Sequence, residues 1–150
     1  MTNIYIDVCC HTPNAHLKGR EVTGDCFAGV YIINEDGQEH KFQAAIGIMT
    51  NPEAYINAAF IALVKAKSVG VNGEVKLNSS HDVLIGWLSG RYGIKLQTIK
   101  DISSQIKELA KEFDQVYYQV VDKKDKGITM AKILAKGQKT LSGSKPSEAV

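Results

Sequence analysis

The order in which apolar periodicity changes along this chain constrains its fold more than any other feature. Three β-type runs come first with no helix among them, and the later β-type runs are separated by helical repeats. Residues 3–9 alternate Ile4, Ile6 and Val8 with Tyr5 and Asp7, as a strand requires. Residues 11–25 hold Thr, Pro, Asn, Lys, Arg and two glycines without sustained periodicity, and read as a loop long enough to be functional. Residues 26–34 and 40–48 are again β-type and are joined through an Asp-Gly turn at 35–38 into a hairpin. Thr50 and Asn51 then offer N-caps, Pro52 suits a first helical turn, and Glu53 suits the helix dipole. Helix follows over 54–69, a strand over 74–78, and helices over 83–89 and 98–113. A fifth strand covers 115–121, and a last helix covers 125–135 with Ile128, Ala131, Leu134 and Ala135 on one side. The order β-β-β-α-β-α-α-β-α, without internal repeat, predicts an α/β fold with a mixed sheet flanked by helices.

Length and composition fit one domain: 150 residues, 44% hydrophobic, 23% charged and 3 prolines exclude fibrous and disordered classes. We expect the domain over 1–139 and a flexible tail over 140–150, where Gly, Ser, Lys and Pro dominate. The longest apolar stretch, 58–64, falls far short of the ~20 residues of a membrane span, and the N-terminus lacks a signal-peptide pattern. A soluble, cytoplasmic protein with no membrane partner is expected. Three cysteines is an odd count, and adjacent Cys9 and Cys10 point to opposite faces of a strand, which argues against a disulfide framework or a zinc site. The net charge of +2 hides an asymmetry: residues 1–121 carry 11 basic and 13 acidic groups, whereas 122–145 carry 7 lysines against Asp122 and Asp125.

Four segments resemble the type 1 ribonuclease H family. Residues 4–10 (Ile-Tyr-Ile-Asp-Val-Cys-Cys) are similar to its first strand, and 27–33 (Phe-Ala-Gly-Val-Tyr-Ile-Ile) to its second. Residues 50–63, opening Thr-Asn-Pro-Glu, resemble its Thr-Asn helix, and 130–135 (Met-Ala-Lys-Ile-Leu-Ala) its closing Ala-Asp-x-Leu-Ala helix. The resemblance implies a ribonuclease H-like fold: five strands in a mixed sheet, the first three antiparallel, with helices on both faces. It also implies a centre in which four acids hold two magnesium ions about 4 Å apart around one phosphodiester. Carried over position by position, the first acid is Asp7, but the second falls on Tyr55, the third on Ser79 and the fourth on Lys132. The family's histidine loop falls on 122–127, which holds no histidine.

Asp7 and Lys132 together sum to about zero charge, so a buried pair of dications would be uncompensated. The reading that follows is a catalytically degenerate centre with no metal, in which Lys132 pairs with Asp7, and a chain retained to bind nucleic acid (RNA/DNA or a single strand) or a protein. Candidate nucleic-acid contacts are Lys18 and Arg20 in the first loop, beside His11, Asn14 and His16, and Lys123, Lys124, Lys126 and Lys132 in the basic segment. One alternative is an active magnesium-dependent ribonuclease H, cleaving RNA in RNA/DNA hybrids through carboxylates rearranged onto Glu53, Asp82, Asp122 or Asp125. Another is a structural or assembly role for the fold as scaffold. Tyr55 reads as a base-stacking or a packing residue, Trp87 as core, and His81 as a surface residue at a helix cap.

Overall fold

The computed structural model describes residues 1–11 and 23–143, the last six by backbone alone. Five strands form one sheet in the order β3-β2-β1-β4-β5, where β1 is Thr2–His11, β2 Thr23–Ile33, β3 Glu39–Thr50, β4 Glu74–Ser79 and β5 Gln115–Val120. β1, β2 and β3 are antiparallel neighbours, and β1–β4 and β4–β5 are parallel. This is the expected mixed sheet with its first three strands antiparallel.

Four helices complete the chain: α1 (Asn51–Ser68), α2 (Asp82–Ser89), α3 (Gln97–Ala110) and α4 (Lys126–Gly143). α1 starts where its sequence says it should. Thr50 and Glu53 form a reciprocal capping box, with the Thr50 amide donating to Glu53 Oε1 at 3.0 Å. Glu53 also accepts from the Thr98 hydroxyl at 3.3 Å, which ties α1 to the start of α3. The α4 backbone continues to Gly143, past Ala135, where its apolar spacing ends.

One face of the sheet presents Ile4, Ile6, Val30, Ile32, Val75 and Leu77 to α1 and α3, with Ile56, Leu63, Ile99 and Ile106 opposite. Each such aliphatic side chain contributes roughly 1.5–3 kcal/mol on burial. α4 covers the other face over β1, β2 and β3. It lies close because glycine meets backbone. A Cβ on Gly29 would strike the Ala131 carbonyl and the Ala135 amide, and one on Gly127 would strike the Tyr5 ring.

The cysteine expectation requires correction. Cys10 and Cys26 form a disulfide. The antiparallel register sets them directly opposite one another across β1 and β2, which their distance in sequence conceals, and Cys9 is left as a free thiol.

Candidate functional site

The β1–β4 pairing ends at Tyr5 with Asn78, so from Ile6 onward β1 has a partner strand on one side only. Asp7 stands in the notch this creates, and it is 3% exposed. A crevice beyond the carboxyl ends of parallel strands is the usual place for a site in an α/β sheet.

A buried carboxylate needs hydrogen-bond donors. Asp7 receives two on Oδ1: the Tyr55 hydroxyl at 2.8 Å, reaching from α1, and the Val8 amide at 2.9 Å. Burial, and then the charge of Asp7, push the Tyr55 hydroxyl far above its ordinary pKa, so it stays protonated and neutral. The tyrosine ring is itself stacked on His81, with centroids 4.1 Å apart and planes inclined by 19°. His81 is the N-cap of α2, and its Nδ1 accepts from the Leu84 amide at 3.1 Å. Burial lowers the His81 pKa, opposed by the charges of Asp82 and Asp7. The His81 amide in turn donates to Oγ of fully buried Ser79 at 3.1 Å. Asp7, Tyr55, His81 and Ser79 thus form one chain of contacts linking β1, α1, the α2 cap and β4.

Lys132 is not part of it. The expected Lys132–Asp7 ion pair does not form: among the described residues the ion pairs join Met1 to Glu35, Arg91 to Asp82 and Lys111 to Glu108. α4 seats its Gly127, Ala131 and Ala135 against the sheet, which leaves Lys132 half-buried on the helix flank.

The four displaced acids are engaged elsewhere. Glu53 closes the α1 capping box, where the Thr50 amide and then its hydroxyl hold its pKa down. Asp82 accepts from the Tyr92 hydroxyl at 2.6 Å and from Arg91 at 3.2 Å. Asp122 accepts from the Lys124 amide at 2.7 Å, and Asp125 from the Gly127 amide at 2.8 Å. Among the described residues no group of three or more His, Cys, Asp or Glu is placed to share a metal ion. Two hard dications need several anionic oxygen ligands. A single carboxylate, with a neutral tyrosine bonded to it and a neutral serine linked through His81, does not fit that pair.

Lys123, Lys124 and Lys126 are exposed at the junction of β5 and α4, and Trp87 packs against the core. His11 is exposed at the end of β1, whereas Asn14, His16, Lys18 and Arg20 lie outside the described residues.

No family model and no curated protein matches the chain in sequence. Solved structures do match it in shape. The RNase H1 of the halophilic archaeon Halobacterium salinarum NRC-1 superposes with a TM-score of 0.77 at 20% identity, covering 95% of this chain and 98% of that one. LC11-RNase H1, solved in complex with an RNA/DNA hybrid, gives 0.75 at 24% identity, covering 94% and 99%. The N-terminal RNase H domain of a Mycobacterium tuberculosis protein gives 0.71 at 21% identity, covering 90% and 97%. These likenesses establish a ribonuclease H-like fold over nearly the whole chain.

Proposed function

For a ribonuclease H-like chain whose β1 aspartate meets a tyrosine hydroxyl in place of a second carboxylate, we propose a nucleic-acid binding module that has lost hydrolysis. The 2.8 Å bond from Tyr55 to Asp7 carries this reading. It sets a neutral hydroxyl on Oδ1, beside the Val8 amide, where cation binding calls for further negative charge, and it is reinforced by the stack on His81. The residues brought together there, Asp7, Tyr55 and Ser79, supply a single negative charge against the four positive charges of two dications.

Two observations support nucleic acid as the ligand. A structural neighbour of nearly equal length was solved on an RNA/DNA hybrid. The exposed lysines 123, 124 and 126 stand where β5 gives way to α4, and with Lys132 they offer cations to a phosphate backbone. Lys18 and Arg20 belong to the same reading. The contacts are to phosphates and are therefore sequence-tolerant.

Fluorescence anisotropy with a labelled hybrid, a duplex and a single strand, each over a salt series, tests the proposal. Affinity is expected to fall with a log–log slope of about −0.7 to −0.9 per phosphate contacted. Absence of binding to every probe at low salt would overturn it in favour of a protein partner or a scaffold role.

A further inference from the structure

The two outer strands of the sheet are unlike. β3 carries the charges of Glu39 and Lys41 and is broken by a bulge opposite Cys26 and Phe27, devices that discourage a further strand. β5 reads Gln-Val-Tyr-Tyr-Gln-Val, without a charge, proline or glycine. Among the described residues it pairs with β4 alone, and Tyr117 and Val120 stand 42% and 39% exposed.

Beside this edge lies an open groove of about 450 Å³. Its apolar lining is Leu88, Phe113, Val116 and Tyr118, and its basic lining is Lys107 and Lys111. Val116 and Tyr118 are alternate residues of β5 and therefore share one face of the pleat. Lys111 pairs with Glu108 at an exposed position, and among the described residues Lys107 makes no ion pair. Asp114, at the end of the groove where β5 starts, is the acid that lines it.

We propose that β5 is a docking edge for an extended acidic peptide. The peptide backbone continues the sheet, alternate apolar side chains enter the groove, and a carboxylate lies by Lys107 and Lys111, away from Asp114. Strand addition needs an edge for main-chain hydrogen bonds and an apolar pocket for alternate side chains; β5 offers the edge, and the groove under Val116 and Tyr118 offers the pocket. The bond from Gln115 Nε2 to the Val116 carbonyl, at 3.4 Å, is a long one that a peptide N–H can replace. A second copy of the chain fits less well, because its own Lys107 and Lys111 would come to the same interface. This inference is independent of the reading of the Asp7 centre.

The test uses three labelled hexapeptides: Val-Thr-Glu-Thr-Val-Thr, which sets its glutamate on the same face as its valines, its Lys-for-Glu counterpart, and a version with proline in place of the second valine. Anisotropy reads binding and amide hydrogen exchange reads its location. The glutamate peptide is expected to bind best and to slow exchange across β5 by about tenfold. The proline version should not bind. Lys107→Glu with Lys111→Glu, both on the surface of α3 and its end, should weaken the glutamate peptide about fivefold and favour the lysine peptide. Protection of β3 instead of β5, no protection at all, or an unchanged preference in the double variant would overturn the proposal. So would β5 protection that rises with protein concentration in the absence of peptide, which would identify a second copy as the occupant.

Discussion

The Tyr55 hydroxyl donates to the Asp7 carboxylate across 2.8 Å, so the most buried acid among the described residues is satisfied by a neutral side chain. In a centre built for cations the same position would add negative charge and leave it to be balanced from outside. Here the position adds no charge.

Removing that donor should therefore cost stability. Tyr55→Phe keeps the stack on His81 and leaves Asp7 with the Val8 amide alone, and we expect a loss of about 1–3 kcal/mol in urea denaturation. Tyr55→Glu should be worse in chelator, because two carboxylates then share one notch. Manganese should raise the melting temperature of Tyr55→Glu and leave that of the wild type unchanged.

His81 gives the centre an acid limit. Its folded pKa lies below the ordinary 6.5, so the unfolded chain binds the extra proton first, and stability falls as pH drops from 6.5 toward the lowered value. Above 6.5 the contribution is complete. Protonation would also turn Nδ1 from acceptor to donor and end the cap on Leu84. Thermal melts between pH 7.5 and 5 should show a decline that is shallower in His81→Asn, since asparagine caps without titrating.

The disulfide predicts a thiol count. Native protein purified without reductant should present one reactive cysteine, Cys9, and reduced protein three. The crosslink spans a sequence separation of 16, so Cys10→Ser with Cys26→Ser should lose about 3 kcal/mol on chain-entropy grounds.

Gly29 predicts a backbone clash. Gly29→Ala would drive a methyl into the Ala131 carbonyl, so α4 must lift from β2, at a cost of about 1–3 kcal/mol in chemical denaturation. Gly37→Ala is no control for packing, since its φ of 86° brings strain of its own, but Gly73→Ala meets open space and should stay within about 0.5 kcal/mol.

What the sequence makes legible here is what local chemistry fixes. The Thr50–Glu53 box, the Asp-Gly turn at 35–38 and the alternation around Asp7 each depend on a few neighbouring residues, and element order then sets the sheet. The resemblance singles out Asp7, Tyr55 and Ser79, and the structure bonds Tyr55 to Asp7 and links Ser79 to them through His81. Lys132 could not be placed. Its angle around α4 is set by the approach of Ala131 and Ala135 to Gly29, a contact between distant segments. His81 escaped for a similar reason: a histidine at a helix cap looks solvated until α1 brings the Tyr55 ring over it. The Cys10–Cys26 pair depends on hairpin register across an intervening loop, which cysteine counting does not encode.

The most direct test of the account is a time course of a labelled RNA/DNA hybrid with purified protein in magnesium and in manganese, run beside Asp7→Asn. The account predicts an intact hybrid in every lane, with wild type and variant alike. Divalent-dependent cleavage by the wild type that disappears in Asp7→Asn would contradict it, and would mean that Asp7 holds a metal despite its bond to Tyr55.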